Sequence, residues 1–315
     1  MSRIVWPRRR ATAEEVVAGL QLAGRYFLIT GANTGIGLET ARVLAGRGGH
    51  VTMACRNMDK AAAARERILA ESPSANLELM RLDLADLASV EAFAQDFKDT
   101  GRPLHVLLLN AGLYSPPESQ TKDGFETTFQ VNHLAQFYLA QLLLDRLRAS
   151  APSRVIAVAS IAHLQAPGWG PADFLKPELM SPKEAGGWVT PLRTYAFSKL
   201  CNILVAREFN RRYAEEGVTA YSLHPGAIQT EFGRNSYLVP ILLNTIGWLI
   251  RVSIPRGAAT QTFLATGEGL ESMAGRYFDC CREGFTTPAA NSMESALNLW
   301  ETSEQMLNNW KNCKK

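Results

Sequence analysis

Short apolar runs alternate with amphipathic segments along most of this chain. Runs of strand length lie at 25–30, 50–55, 77–84, 104–109, 155–159 and 221–224. Segments with helical periodicity lie at 11–22, 38–46, 59–70, 87–98 and 125–148. This alternation predicts an α/β fold, with a doubly wound parallel sheet in a three-layer αβα arrangement.

The pattern also predicts how the chain is divided. An N-terminal arm with a short helix is expected at 1–22 and a single domain at 23–315, because no repeat, low-complexity tract or linker interrupts the latter. The proline-containing segment 164–192 is predicted to be an insertion. The segment 231–256 contains an uncharged, apolar stretch and is predicted to be a lid over a substrate. That stretch is too short and too broken to span a membrane.

Composition excludes several classes of protein. The 315 residues are 46% hydrophobic and 20% charged, as in ordinary globular proteins, and a net charge of +3 is too small to indicate nucleic-acid binding. Part of the basic excess lies in Arg3, Arg8, Arg9 and Arg10, which are predicted to form a solvated arm; a role in targeting or at a membrane surface is the alternative.

The five cysteines form no CxxC pair, so the sequence predicts neither a disulfide framework nor a metal site. His133, His163 and His224 lack the spacing of metal ligands and are predicted to be core or surface residues. The N-terminus has no apolar segment typical of a signal peptide, so an intracellular location is expected, cytoplasmic or peripherally membrane-associated.

A glycine-rich turn joins the first predicted strand to the next helix. Gly31, Gly35 and Gly37 allow this turn to bend and bring backbone N–H groups close to a phosphate, at the positive end of the helix. The order of strand, glycine turn and helix predicts a Rossmann-type dinucleotide site. A tight turn without a ligand is the alternative.

Other polar or small residues follow the predicted strands, where ligands bind in open α/β sheets. Arg56 follows the second strand and favours NADP(H) over NAD(H), because arginine pairs with a 2′-phosphate; a solvated surface arginine is the alternative. Asp83 ends the third strand and is placed to accept a hydrogen bond from adenine. Asn110, Ala111 and Gly112 follow the fourth strand.

Tyr195 and Lys199 are four residues apart in a predicted helix and therefore share one face. A lysine ammonium close to the phenol is expected to lower the pKa of Tyr195, so that the tyrosine exchanges protons near neutral pH. This four-residue spacing also occurs by chance on helix surfaces. The upstream glycine turn is what favours the chemical interpretation.

Together these residues resemble the classical short-chain dehydrogenases/reductases over almost the whole chain. Within that family the sequence is most similar to the dehydrogenase domain of the WW-domain-containing oxidoreductase and to the microsomal retinol dehydrogenases, although it contains no WW module. The motifs that carry this resemblance are Ala54-Cys55-Arg56-Asn57, Thr121 to His133, Ser198-Lys199-Leu200-Cys201-Asn202, His224-Pro225-Gly226 and Gly257-Ala258-Ala259-Thr260.

The resemblance implies roles for individual residues. Tyr195 would be the general acid or base, Lys199 would lower its pKa and bind the nicotinamide ribose, Ser160 would hold the substrate oxygen, and Asn132 would fix a water. The residues implied or predicted to bind NADP(H) are Gly31, Asn33, Thr34, Gly35, Ile36, Gly37, Arg56, Asn57, Asp83, Leu84, Asn110, Ala111, Gly112, Tyr195, Lys199, Pro225, Gly226, Ile228 and Thr230.

The sequence departs from the family pattern in three places. Leu109 replaces the first asparagine of Asn-Asn-Ala-Gly, and Ala159 replaces a serine that often precedes Ser160. The separation of Ser160 from Tyr195 is longer than usual, which places the predicted insertion between them.

The leading hypothesis is an NADP(H)-dependent oxidoreductase that acts on a lipophilic carbonyl or alcohol such as a retinoid, a steroid or a lipid aldehyde. The alternative is a nucleotide-binding regulatory or interaction protein with little catalysis. The resemblance further implies a homodimer or homotetramer, and the apolar lid predicts peripheral membrane contact as a lesser alternative to a lid alone.

Overall fold

The computed structural model describes residues 4–166, 191–228 and 251–313. The strands in these ranges are β1 Tyr26–Thr30, β2 His50–Cys55, β3 Asn76–Arg81, β4 Val106–Leu109, β5 Ser153–Val158, β6 Val218–His224, β7 Ala227–Ile228, β8 Arg251–Val252, β9 Tyr277–Asp279 and β10 Arg282–Glu283.

Eight of these strands form one sheet in the order β10-β9-β6-β5-β4-β1-β2-β3. All neighbouring strands in it are parallel except β9 and β10. The chain runs outward from β1 to β3 and then returns to β4 on the other side of β1, so the strand order reverses there. A crevice opens at such a reversal, outside the carboxyl ends of the strands. The predicted doubly wound parallel sheet is confirmed.

Helices connect the strands and cover both faces of the sheet. The α-helices are α1 Ala13–Val16, α2 Gly35–Gly46, α3 Met58–Glu71, α4 Leu87–Asp99, α5 Thr127–Phe129, α6 Ala135–Leu142, α7 Leu144–Ala149, α8 Pro191–Tyr213, α9 Ile254–Gly257, α10 Ala259–Thr266, α11 Pro288–Asn291 and α12 Met293–Cys313. None of the helices in the described ranges has the length and apolar character needed to cross a bilayer.

The apolar residues form two core clusters, one on each face of the sheet. Along β4, Leu107 and Leu109 belong to the first cluster, whereas Val106 and Leu108 belong to the second. Successive side chains of a strand point to opposite faces, so a strand buried on both faces must be apolar throughout. For this reason β4 is an uninterrupted apolar run. Its two apolar faces are covered by helices above and below the sheet.

The predicted helix at 125–148 is wrong as a single element. A π-helical turn at Gln130–Leu134 separates α5 from α6, and a second break at Leu143 separates α6 from α7. The buried Gln136 amide donates to the carbonyl oxygens of Val131 and Asn132, which the wider turn leaves within its reach. A π turn inserts one extra residue and therefore changes which side chains face the site.

Three further expectations differ from the structure, two at the ends of elements and one in the N-terminal arm. The first helix covers only Ala13–Val16 and begins at a capping box of Thr12 and Glu15. The third strand ends at Arg81, so Asp83 lies in the turn that follows it. The N-terminal arm is solvated only in part: Arg8, Arg9 and Arg10 are exposed, but the Trp6 ring packs 5.6 Å from that of Phe263.

The C-terminal helix α12 packs against α8 and α6. Trp300 of α12 is fully buried between the rings of Phe137 and Phe209, and the buried Ser303 hydroxyl contacts His133. This helix therefore covers the outer face of the layer that carries Tyr195. The division into an arm, one domain, an insertion and a lid stays a prediction, since most of 164–192 and 231–256 lies outside the described residues.

Candidate active site

The glycine-rich turn lies at the point where the strand order reverses, between β1 and α2. Gly31 and Gly35 have positive φ angles of 67° and 58°, which L side chains rarely adopt. A Cβ on Gly37 would lie 2.5 Å from Asn110 Nδ2 and 2.6 Å from the Gly31 carbonyl oxygen. Only glycine at position 37 therefore lets α2 start this close to β4.

The start of α2 fits a phosphate group. The N-cap residue Thr34 makes no side-chain hydrogen bond to the helix, whereas Asn57 and Asp86 cap α3 and α4. The first N–H groups of α2, from Gly35 to Gly37, are thus not satisfied by the cap, and the helix dipole makes this end positive. Asn33, Thr34 and Ile36 lie in the same turn.

A hydrogen-bond network beneath this turn was not predicted from the sequence. The Thr30 hydroxyl accepts hydrogen bonds from the N–H groups of Asn110 and Ala111 and contacts Gln136 at 3.0 Å. Asn110 Nδ2 donates to the Thr30 carbonyl at 2.8 Å, and Gln136 donates to the Ala111 carbonyl. The network fixes the segment Asn110 to Gly112 against the turn. In the sequence, this network was indicated only by polar residues within periodic helical segments. Periodicity alone does not reveal which groups such residues bind.

The residues predicted to surround the adenosine lie at the ends of β2 and β3. Arg56 is exposed directly after β2. Asn57 Oδ1 accepts from Lys60 N–H at 2.8 Å and so caps α3, while Asp83 Oδ1 accepts from Ala85 N–H at 3.0 Å. The Leu84 carbonyl accepts from Gln130. Of this set, Arg56 is the exposed cation that a 2′-phosphate would need.

Tyr195 and Ser160 are brought together from two elements that are distant in sequence. Ser160 follows β5 and begins a short 3₁₀ helix, with its Oγ accepting from Ala162 N–H at 3.1 Å. Tyr195 lies in the first turns of α8 and is nearly buried, and its interaction with the Ser160 side chain lowers the pKa of the phenol. The two side chains expected to contact the substrate oxygen therefore lie close enough to interact.

Lys199 is buried one turn further along α8. Its Nζ donates to the Val158 carbonyl oxygen at 2.8 Å and lies 5.5 Å from the centre of the Tyr195 ring. Asn202 Nδ2 donates to the same carbonyl at 3.1 Å. A Cβ on Gly112 would come within 3.2 Å of Lys199 Nζ, so a larger residue at position 112 would crowd the amine.

Asn132 is positioned by the π turn and is fully buried. Its Oδ1 accepts from Leu113 N–H at 2.8 Å, and its Nδ2 donates to the Leu113 carbonyl at 3.0 Å and to Ser198 Oγ at 3.0 Å. Ser198 Oγ in turn donates to the Tyr195 carbonyl at 2.7 Å. Asn132 thus ties the loop after β4 to α8 and connects the two halves of the site.

The predicted direction of the Tyr195 pKa is opposite to that in the structure. Burial raises the pKa of Tyr195 above its usual value, and interaction with the Ser160 side chain only partly opposes this rise. Burial also lowers the pKa of Lys199 to about 7. The lysine is therefore only partly charged at neutral pH, which weakens the electrostatic effect on the phenol that the sequence interpretation assumed.

The remaining predicted cofactor residues follow β6. Gly226 has a positive φ of 89°, and a Cβ there would lie 2.8 Å from Val252, so the turn after Pro225 is closely packed. Ile228 ends β7, and Thr230 lies outside the described residues. Among the residues described, no three His, Cys, Asp or Glu side chains come together as a metal site, and His133, His163 and His224 are all buried.

A glycine-rich turn at the reversal of a doubly wound sheet, with a tyrosine and a lysine on the helix after its fifth strand, is the arrangement of a nicotinamide-dependent oxidoreductase. Comparison with known proteins gives the same class. A sequence model described as short chain dehydrogenase matches residues 25–172. The chain belongs to the short-chain dehydrogenase/reductase family.

Individual relatives match nearly the full chain. The human WW domain-containing oxidoreductase is 44% identical over 299 residues, which are 94% of this chain and 71% of that protein. Human retinol dehydrogenase 12 is 40% identical over 288 residues, covering 91% of this chain and 88% of that protein. Among solved structures, the Pseudomonas aeruginosa RhlG/NADP active-site complex is 26% identical, with a TM-score of 0.64, and covers 82% of this chain and 96% of that one.

Proposed function

We propose that this protein is an NADP(H)-dependent oxidoreductase that transfers hydride between nicotinamide and a lipophilic carbonyl or alcohol, such as a retinoid, a steroid or a lipid aldehyde. The observation that carries the proposal is the grouping of the buried Tyr195 and Lys199, with Lys199 Nζ 5.5 Å from the centre of the Tyr195 ring, beside the Ser160 side chain. Binding a nucleotide does not by itself require a tyrosine hydroxyl beside a serine hydroxyl.

The proposed chemistry divides proton transfer among these residues. In the reductive direction, Ser160 donates a hydrogen bond to the carbonyl oxygen, where negative charge develops, and Tyr195 delivers the proton. When bound, the nicotinamide supplies the hydride or accepts it in the reverse direction. A lysine whose pKa is about 7 exchanges protons readily near neutral pH, so Lys199 is suited to restore the proton of Tyr195.

The preference for NADP(H) is supported by charge at the end of β2. Arg56 is exposed there, and an arginine pairs well with a phosphate. The RhlG structure was solved with NADP. The substitution Arg56→Asp is expected to weaken NADPH binding at least about tenfold and NADH binding much less, since it replaces an attractive charge with a repulsive one. Separate fluorescence titrations with the two nucleotides measure this, and equal effects on both would contradict the preference.

The substrate class is supported by apolar groups near the site. Ile161 and Leu164 follow Ser160, Leu192 precedes Tyr195, and all three are exposed. The Tyr114 ring packs edge-on against that of Tyr195, with 5.5 Å between ring centres. Retinol dehydrogenase 12 is named for a lipophilic alcohol. The predicted lid lies outside the described residues except for its last part.

The test is the Tyr195→Phe variant, assayed for NADPH oxidation against retinal, steroid ketones and medium-chain aldehydes. Turnover is expected to fall at least about a hundredfold because the proton donor is lost, while NADPH binding is retained. Tyr138→Phe is the matched control: Tyr138 is also buried, but its hydroxyl donates to Glu91 on α4. Full activity of Tyr195→Phe would refute the assignment. NADPH binding without wild-type turnover on the panel would favour the regulatory alternative.

Assembly and membrane contact stay predictions. A homodimer or homotetramer is expected from the family, and α12 of the same chain already covers part of the α8 surface. Light scattering of the purified protein measures the subunit number, and sedimentation with lipid vesicles measures membrane contact.

A further inference from the structure

Two buried histidines contact the same peptide group, the one that joins Ser160 to Ile161. His163 Nδ1 lies 2.6 Å from the Ser160 carbonyl oxygen. The N–H group of Ile161 donates to His224 Nδ1 at 3.3 Å. The two polar atoms of one peptide bond are therefore held from opposite sides by two imidazole rings.

The hydrogen-bond partners determine the tautomer of each ring. A carbonyl oxygen only accepts, so Nδ1 of His163 carries the proton; an amide N–H only donates, so Nδ1 of His224 is unprotonated. Burial lowers the pKa of both histidines below the usual value. Both rings are thus neutral near pH 7, which is the state that the contact between His224 and Ile161 requires.

Packing fixes both rings in place. His163 is 1% exposed, and its ring stands edge-on to Tyr277 of β9, with 5.0 Å between ring centres. His224 is the last residue of β6 and is 9% exposed, and the charges of Asp279 and His163 act on its pKa in opposite directions. His163 Nε2 has no hydrogen-bond partner among the described residues, so its single polar contact is the one with Ser160.

This peptide sets the direction of the Ser160 side chain. Ser160 Oγ accepts from Ala162 N–H at 3.1 Å, two residues along the same turn, and the Ser160 side chain interacts with Tyr195, whose pKa it lowers. Rotation of the Ser160–Ile161 peptide would move the Ala162 N–H and release the hydroxyl. We propose that His163 and His224 are positioning residues that hold the Ser160 hydroxyl against Tyr195. The catalytic roles of Ser160 and Tyr195 in this proposal rest on the proposed function. The contacts of the two histidines with the peptide do not.

The test compares variants that remove or retain each contact. His163→Leu and His224→Leu remove one contact each. His163→Asn keeps an N–H donor, and His224→Asn keeps an oxygen acceptor, at nearly the position of Nδ1. The matched control is His105→Leu: His105 Nδ1 accepts from Tyr26 N–H at 3.1 Å, but at the start of β1, away from the carboxyl ends of the strands.

Both leucine variants at the site are expected to lower kcat roughly ten- to a hundredfold while the Kd for NADPH stays unchanged, and both asparagine variants are expected to recover most of kcat. His105→Leu is expected to lower stability without lowering kcat. Wild-type kcat in His163→Leu, or no recovery in His163→Asn, would overturn the proposal.

A second measurement does not depend on turnover. Amide hydrogen exchange of Ile161, followed by NMR, is expected to accelerate at least about tenfold in His163→Leu as well as in His224→Leu, because each variant loses one side-chain contact of the peptide. The His163 backbone N–H, which also donates to the Ser160 carbonyl oxygen at 3.1 Å, is unchanged in both variants. A uniform increase in exchange rate over all amides, or no increase at Ile161 in His163→Leu, would overturn the proposal that the histidines position Ser160. If the wild-type protein turns over no substrate, the proposed function fails, and this exchange result alone decides the inference.

Discussion

Replacement of Lys199 by methionine tests the electrostatics of the site most directly. Lys199 is 3% exposed, and burial alone lowers its pKa. Methionine retains much of the apolar stem and removes the charge. The Val158 carbonyl keeps a partner in the variant, since Asn202 also donates to it.

The magnitude follows from the pKa values. The lysine pKa falls from 10.5 to about 7 on folding, and each tenfold change in proton affinity corresponds to about 1.4 kcal/mol. Below pH 7, burial of the charged side chain therefore costs about 5 kcal/mol, a cost that decreases as pH rises and is absent above the unfolded pKa. Between these two pKa values the unfolded chain binds more protons than the folded one, so wild-type stability rises with pH.

The free energy lost with the hydrogen bond to Val158 is about 1 kcal/mol and does not depend on pH. Lys199→Met is thus expected to be more stable than the wild type by about 4 kcal/mol at pH 6. The advantage is expected to shrink by about 1.4 kcal/mol per pH unit above pH 7. Burial raises the pKa of Tyr195, so above about pH 9.5 tyrosine ionises in the unfolded chain before it does in the folded one, and this lowers stability. The comparison therefore ends at about pH 9.5.

Urea unfolding of both proteins without nucleotide, from pH 6 to 9.5, measures the difference. Lys60→Met, at an exposed position on α3, shows what the loss of a surface lysine does by itself. If the stability difference between Lys199→Met and the wild type were the same at every pH, Lys199 would titrate alike in the folded and unfolded chains. The reasoning about its burial would then be refuted.

Two further predictions concern the turn and the core. Gly37→Ala is expected to lower NADPH affinity at least about tenfold and stability by about 1–3 kcal/mol, because its Cβ would overlap Asn110 and the Gly31 carbonyl. Gly46→Ala on the same helix, whose Cβ would meet only Ser72 Oγ at 3.5 Å, is the control in titration and unfolding; equal behaviour of the two would contradict the steric argument. Trp300→Ala is expected to lose about 3–5 kcal/mol in urea unfolding, since a fully buried ring is removed from between α6 and α8. A loss below about 1 kcal/mol would show that α12 contributes little to the core.

Local patterns were sufficient for β1 to β6 and the glycine turn, but they did not predict the short strands β7 to β10. Runs such as 50–55 match β2 because an apolar strand in a parallel sheet needs no knowledge of its neighbours to be recognised. The glycines at 31 and 35 were identified from spacing, and their positive φ angles explain why that residue type is there. The resemblance also selected Ser160 and Tyr195, which the structure brings close enough to interact, although their catalytic roles stay a proposal.

Helical periodicity was not sufficient for the segment 125–148. An apolar pattern does not distinguish one continuous helix from three shorter ones with a π turn, because the break depends on where Gln136 finds its partners: Val131 and Asn132 nearby, and Ala111 in another loop. The arm was predicted to be solvated for the same reason. The contacts of Trp6 with Phe263 and Arg282 come from the far end of the chain.

The amino-acid sequence by itself determined the order of β1 to β6 and of the helices between them, the glycine-rich turn and the identity of the candidate site side chains, because these depend on residue type and spacing along the chain. Tertiary structure alone decided how those side chains are charged and held. Burial lowers the pKa of Lys199 and raises that of Tyr195, and His163 and His224 meet at one peptide bond, only because β5, β6 and α8 pack together in space.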